Sequence, residues 1–314
     1  MALNIQENVS LSDHTVYKIG GPARFYTDIK VPEDLKEAIA FAKERRIPFF
    51  VLGAGSNILV SDKGYGGLVI HLAEGGIEIN STEVSVGASL MMAQVVAKAA
   101  HTGLSGFEWA IGVPGTIGGS VRGNAGCFGH EMKDVVKAVR FFDTLSGEFK
   151  EFSNSECEFE YRHSIFKKHP EWIIMYANLG LKKGDPKEIQ ETIKKISLER
   201  SGKQDIGTKS CGCIFKNISW ARKDVDKNYL LNRFPELQEF KDRETVPSSF
   251  LIDQTGLKGK KIGHVFVSPR HANFFVNEGG GTAEEVAILI AVIKEKIHQK
   301  YGIWLEEEIQ YVGF

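Results

Sequence analysis

Two thiols flank a glycine in Lys209-Ser210-Cys211-Gly212-Cys213-Ile214-Phe215-Lys216-Asn217, a stretch of small and polar residues followed by two apolar ones. That composition is too irregular for a helix interior and predicts a turn leading into a short strand. Thiols there are candidate metal ligands, but Cys-x-Cys alone lacks the paired spacing of a zinc site. Arg162, in Tyr161-Arg162-His163-Ser164-Ile165-Phe166, has the fork geometry to receive a carboxylate or phosphate; a surface ion pair is the plainer use of the same residue. Three carboxylates, Glu306-Glu307-Glu308, enter a strand at the end of the chain. Alternation puts Glu306 and Glu308 on one face and Glu307 on the other.

Two glycine-rich segments could meet a ligand through the backbone. Gly53-Ala54-Gly55-Ser56-Asn57 follows the strand-like Phe49-Phe50-Val51-Leu52, but no third glycine and no helix follow it, so it is not a dinucleotide fingerprint. It is either a nest of N–H groups for an anion or a tight hairpin that needs glycine. Residues 112–129 hold seven glycines without being a repeat. Ordering so much glycine is entropically costly, which points away from a linker and toward a cradle for a phosphate or cofactor.

The elements that must position these residues alternate between helix and strand. Helices are predicted at residues 32–46, opened by Pro32; at 89–100, capped by Ser89 with Leu90, Ala93, Val96, Ala97 and Ala100 on one face; at 186–197, with Ile189, Thr192, Ile193 and Ile196 inward; and from Thr282, where Thr282-Ala283-Glu284-Glu285 is a capping box, to Gly302. Strands are predicted at 25–29, 49–52, 58–60, 77–86, 264–267 and 273–276, with a hairpin over 135–148. Residues 202–208 form the best domain boundary, and 219–244, rich in charge, look like an insertion or a surface helix.

With 314 residues, 42% of them hydrophobic and 25% charged, the chain can build two or three domains with real cores. Its formal net charge of -1 supplies no basic field for nucleic acid or anionic lipid. Four scattered cysteines, no signal-peptide pattern at the N-terminus and no apolar run of membrane-spanning length predict a cytoplasmic protein with reduced thiols. No metal site is expected, and lone histidines such as His71, His101 and His271 are expected in core or surface roles.

Together the motifs resemble one family, the UDP-N-acetylenolpyruvoylglucosamine reductases, also called UDP-N-acetylmuramate dehydrogenases. The resemblance covers residues 15–313 and is carried by Ile19-Gly20-Gly21-Pro22-Ala23, Leu52-Gly53-Ala54-Gly55-Ser56-Asn57, the run from Gly112-Val113-Pro114-Gly115 to Gly119, Asn124-Ala125-Gly126, Tyr161-Arg162-His163-Ser164-Ile165-Phe166, Cys211-Gly212-Cys213-Ile214-Phe215-Lys216-Asn217, His271-Ala272-Asn273-Phe274-Phe275-Val276-Asn277 and the Glu308 strand. Their shared order makes the set specific where each alone is weak.

The resemblance implies an α+β fold: a two-lobed FAD-binding region (PCMH/vanillyl-alcohol-oxidase-like) over residues 1–75 and 76–200, and a C-terminal α+β substrate-binding domain over 201–314. It implies noncovalent FAD on Gly53, Ala54, Gly55, Ser56, Asn57, Gly112, Pro114, Gly115, Thr116, Gly118, Gly119, Asn124 and Gly126. NADPH would be the hydride donor and a UDP-sugar enolpyruvyl ether the substrate, reduced to UDP-N-acetylmuramate for peptidoglycan. Arg162, Cys213 and Glu308 would be catalytic, with Tyr161, Lys216 and Asn217 on the substrate. A monomer is favoured.

The sequence departs from the family at Cys213, where serine is the usual proton donor, at Ile218 in place of a common proline, and at Gln310 in place of a basic residue. The compact subtype is expected. An FAD-dependent oxidase of alcohols or hydroxy acids would share the fold, but would leave Arg162, Cys213 and Glu308 without a joint purpose.

Overall fold

The computed structural model describes residues 3–314 except 74, 204 and 206, so part of the predicted boundary at 202–208 lies outside the described residues. The fold is α+β, and the chain divides into two compact units. The first comprises residues 1–10, 22–55 and 65–202; the second comprises 11–21, 56–64 and 203–314.

Among its described residues the first unit contains two larger sheets and two short two-stranded ones. One has four strands in the order Gln6–Ser10, Pro22–Ile29, Tyr65–Leu72, Phe49–Leu52; the outer pair on the N-terminal side is antiparallel and the other pairings are parallel. The helix Pro32–Glu44 opens with proline at its first turn and buries Leu35, Ala38, Ile39 and Ala42 against this sheet's Phe25, Leu68 and Ile70, the 3.6-residue stripe its sequence predicts. The second sheet is antiparallel, in the order Glu148–Ser153, Val136–Asp143, Trp172–Gly180, Glu83–Gly87, Ile77–Asn80. The predicted hairpin at 135–148 forms as Val136–Asp143 against Glu148–Ser153.

Two helices of this unit differ from expectation. The helix predicted from Ser89 begins at Met92, with Met91 as its N-cap, and buries Met92, Val95, Val96, Ala99 and Ala100, while Ala93 and Ala97 face out. The reason lies in the preceding residues, which are held extended: the Met92 amide donates to Gly115 (3.0 Å) and the Ile117 amide to Leu90 (2.9 Å). The helix Pro186–Lys203 outruns its predicted end; Ile189 is buried, but Thr192 is exposed, its hydroxyl donating to the Glu188 carbonyl at 2.8 Å.

The second unit packs its core around the helix Ala283–Tyr301, which buries Val286, Leu289, Ile290, Ile293 and Ile297. The capping box forms as predicted, Glu285 N–H to Thr282 Oγ1 and Thr282 N–H to Glu285 Oε2, both at 3.2 Å, and Gly302 ends the helix at φ 71. Asp62 adds a second clamp by accepting the amides of Ala283 (2.8 Å) and Glu284 (3.1 Å). A three-stranded antiparallel sheet (Lys261–Ile262, Val265–Val267, Phe275–Asn277) and a parallel pair, Ile58–Val60 with Gln310–Val312, complete the frame. Segment 219–244 holds the helix Lys227–Arg233, mostly exposed with Leu230 buried, and is anchored to the unit's core by Val225, Leu230, Leu237 and Phe240, with the Trp220 indole donating to the Phe240 carbonyl at 3.1 Å. Among the described residues, no helix is long and apolar enough to cross a membrane.

Candidate active site

In the first unit the two glycine segments meet. A Cβ on Gly53 would lie 2.8 Å from the Thr116 hydroxyl, so only glycine lets the loop after Phe49–Leu52 pass there. That loop is not a hairpin: Phe49–Leu52 pairs with Tyr65–Leu72, and Ile58–Val60 pairs with Gln310–Val312. Thr116 caps the helix Ile117–Arg122 by accepting from the Gly119 amide (3.3 Å), and Gly118 packs so closely on Ala88 that a Cβ would sit 2.9 Å from the Ala88 methyl. Gly115 adopts φ 129, open to glycine and strained for other residues. Gly53, Ala54, Gly55, Gly115, Thr116, Gly118 and Gly119 thus belong to one backbone-lined region. Gly112 has a different job: a Cβ there would run into Arg200, at 2.3 Å from Cδ. Arg200, which sequence reasoning missed because it looks like one more charge on a solvated helix, donates to the Cys127 sulfur at 3.3 Å.

Arg162 is presented by a tight turn. Glu160 and His163 exchange amide–carbonyl bonds (3.0 and 3.1 Å) around Tyr161 and Arg162, and Arg162 itself adopts φ 56. Positive φ in an arginine costs about 1 to 3 kcal/mol and persists only where the surroundings enforce it. They do so through Asn124. Expected among the cofactor contacts, it is 0% exposed, with its amide nitrogen donating to the Glu160 carbonyl (2.9 Å) and to Glu131 (3.0 Å), and its oxygen accepting from the Lys133 amide (3.0 Å). Its side chain builds the Arg162 turn. The Arg162 guanidinium donates to the Gly126 carbonyl (3.1 Å) and lies 5.3 Å from the centroid of the exposed Tyr161 ring, so Gly126 serves the arginine.

In the second unit, backbone pairing places Glu308 beside Ile214, the residue after Cys213. Gly212 turns at φ 78, sending Cys211 into the core and leaving Cys213 half-buried. Burial pushes the Cys211 thiol far above its ordinary pKa, which leaves it inert. The next residues run between two strands: Cys213 pairs with Phe274, the Ile214 amide donates to Asn273 (2.9 Å), and the Glu308 amide donates to the Ile214 carbonyl (2.7 Å). Glu308 is therefore docked through its backbone on Ile214, the residue that follows the half-buried thiol. Asn57 holds it from the other side, its amide donating to the Glu308 carbonyl (3.3 Å) and its carbonyl accepting from Gln310 (3.0 Å).

The other carboxylates of the triplet are paired as alternation predicts: Glu307 with Lys294 (2.9 Å), Glu306 with Lys216 (3.3 Å) and Arg222 (3.7 Å). Lys216 is thus an exposed-side ion-pair partner, and Asn217 accepts the Ser248 amide at 3.3 Å. Asn273, another residue missed because it sits in an apolar run, acts as a surrogate strand. Buried, it accepts from the Phe215 amide (2.9 Å) and donates to the Phe215 carbonyl (2.7 Å). Replacing Asn273 with leucine should cost about 2 to 4 kcal/mol, two buried peptide groups losing partners, read as a lowered urea midpoint; an unchanged midpoint would show that the amide is dispensable.

Comparison with known proteins follows these divisions. Residues 204–312 match the family described as UDP-N-acetylenolpyruvoylglucosamine reductase, C-terminal domain, and residues 25–153 match the FAD binding domain family. The chain is 36% identical over 321 residues to the UDP-N-acetylenolpyruvoylglucosamine reductase of Solibacter usitatus, covering 99% of this chain and 97% of that protein. The Clostridioides difficile reductase is 34% identical over 312 residues, covering 99% and 94%. The crystal structure of the Thermus caldophilus UDP-N-acetylenolpyruvylglucosamine reductase superimposes with a TM-score of 0.77 at 31% identity, covering 99% of both chains.

Proposed function

The chain belongs to the UDP-N-acetylenolpyruvoylglucosamine reductases, and from that premise we propose how its own residues divide the reaction. The enzyme is an FAD-dependent oxidoreductase that uses NADPH to reduce the enolpyruvyl ether of UDP-N-acetylglucosamine to UDP-N-acetylmuramate, a step of peptidoglycan precursor synthesis.

The first unit fits a flavin nucleotide. Gly53 has no space for a Cβ beside Thr116, and Gly118 has none beside Ala88, so the two segments pack backbone to backbone with few side chains between them. Gly53, Ala54, Gly55, Gly115, Thr116 and Gly119 would hold it, with Ser56 and Pro114 at the segment ends. When bound, FAD would supply the hydride chemistry, NADPH being the donor and C3 of the enolpyruvyl group the acceptor.

The protein's own task is the charge and the proton. Hydride arrival at C3 pushes an electron pair onto C2 and its carboxylate, so the site must neutralise a growing dianion and deliver one proton. Arg162 receives the substrate carboxylate; its turn is fixed by Asn124 and Gly126, so little reorganisation is needed. Cys213 donates its S–H proton to C2 and leaves a thiolate that is reprotonated from water. Glu308, docked through its backbone on Ile214 beside Cys213, acts in its protonated form and donates a hydrogen bond to the developing enolate; that docking is the observation that carries this assignment. Tyr161, Lys216 and Asn217 take the rest of the UDP-sugar. Four free cysteines and the use of NADPH fit the reducing cytoplasm.

Turnover with NADPH deuterated at the transferred position in light water, and with light NADPH in heavy water, tests this directly. Product formed in heavy water should carry solvent deuterium at C2, and any deuterium from the cofactor should appear at C3 alone, the N–H of the reduced flavin being open to exchange with water. Cofactor deuterium at C2 would reject hydride delivery to C3. A second check uses alkylation: iodoacetamide should modify Cys213 before Cys157, whose thiol burial pushes up to about 12, and before Cys211. Equal labelling of buried and half-buried thiols would contradict it.

A further inference from the structure

We propose that Lys167 is a positioning residue for reduction of the enolpyruvyl group: its ammonium holds the backbone of Arg162 in the turn that presents the guanidinium. Lys167 Nζ donates to the Arg162 carbonyl at 2.7 Å. Arg162 is the third residue of the four-residue turn 160–163 and takes φ 56, a place where positive φ ordinarily belongs to glycine or asparagine. An arginine there relaxes by rotating its backbone, and that rotation moves the carbonyl the ammonium grips. A bond to an ammonium is among the stronger ones a carbonyl accepts. Ordering the four-carbon stem of a lysine is entropically costly, so a lysine spent on this carbonyl marks a conformation that has to be kept.

Other holds on this loop act at its ends. Asn124 donates to the Glu160 carbonyl (2.9 Å) on one side. On the other, the buried Ser164 hydroxyl donates to the Arg122 carbonyl (2.8 Å), and buried Phe166 packs edge-on against Phe141 with ring centroids 5.3 Å apart. Lys167 follows Phe166 in the short helix Ile165–Lys168, so its stem starts from an anchored backbone. Neutral groups thus fix the ends of the loop, and a charged donor holds the strained residue between them. The inference rests on Arg162 receiving the substrate carboxylate.

A double-mutant cycle on the full-length enzyme carrying FAD provides the test. Lys167→Met should lower kcat/KM for the enolpyruvyl substrate about ten- to a hundredfold, the usual worth of a hydrogen bond to a charged group, while NADPH still bleaches the flavin at the parent rate. In the Arg162→Gly background, where glycine takes positive φ freely and no guanidinium is left to present, Lys167→Met should change kcat/KM by no more than about twofold. Lys167→Arg, which keeps a charged donor, should recover most of the loss. A full second loss in the Arg162→Gly background would overturn the proposal and place the ammonium on the substrate itself. Equal slowing of both half-reactions by Lys167→Met, or no change in either, would overturn it in favour of a structural or surface role; Lys167→Gln goes through the same cycle if Lys167→Met does not fold. Arg162→Gly with unimpaired kcat/KM would instead overturn the carboxylate reading of Arg162.

Discussion

Cys213→Ala is expected to slow reduction of the enolpyruvyl ether by about 10²- to 10⁴-fold, the usual worth of a positioned general acid, while leaving the bleaching of the flavin by NADPH at its original rate. The two half-reactions separate because only the second needs a proton at carbon. The thiol is poised for that use: half-buried, on a turn that Gly212 creates at φ 78, one peptide from the carbonyl that anchors Glu308. Cys213→Ser should keep the reaction running, since a hydroxyl in the same position can also deliver a proton. Cys211 provides the internal control. It shares the sequence motif but is 1% exposed, and Cys211→Ala should leave both half-reactions intact. Equal loss of both half-reactions in Cys213→Ala, or no loss, would reject the assignment.

Arg162→Gly is expected to lose about 10²- to 10³-fold in kcat/KM for the enolpyruvyl substrate, the effect of leaving a bound carboxylate without its charged partner. Stability should move the other way or not at all. Arg162 sits at φ 56, where glycine relieves about 1 to 3 kcal/mol of backbone strain, set against about 0.5 to 1 kcal/mol of extra unfolded-state entropy. A variant that melts no lower than the parent yet fails on the substrate would show that the strained turn is maintained for the arginine. A melting temperature that falls by ten degrees or so with little change in kcat/KM would show that Arg162 serves the fold.

Much of this arrangement was legible in the sequence because each signal is local. Pro32, the Thr282–Glu285 capping box and Gly302 set helix ends by chemistry within a few residues, and the glycines of 112–129 announce backbone that must pass close to something. What escaped is nonlocal. Val225, Leu230, Leu237 and Phe240 are four apolar anchors spread through a charged stretch whose short helices Lys227–Arg233 and Pro235–Phe240 are otherwise mostly exposed, so 219–244 resembled surface. Ile58–Val60 belongs with a strand about 250 residues later, and Tyr17 and Ile19 are buried in the same C-terminal core, pairings that no window around them contains. Asn273 substitutes its amide for a peptide group, and Arg200 needs the bare backbone of Gly112; both are visible only once the chain is folded. Asn124 and Gly126 show the reverse case. Their motif drew attention to them as cofactor contacts; in the fold the Asn124 side chain holds the Arg162 turn and the Gly126 carbonyl accepts from the Arg162 guanidinium.

The account is tested most directly by a single turnover. Protein carrying FAD, bleached by one equivalent of NADPH without oxygen, is mixed with the enolpyruvyl ether of UDP-N-acetylglucosamine while the flavin absorbance and the product are followed. The flavin spectrum should return at the rate at which UDP-N-acetylmuramate appears, one product for each NADPH consumed. Flavin that stays bleached in the presence of this substrate, or recovers without forming the product, would contradict it.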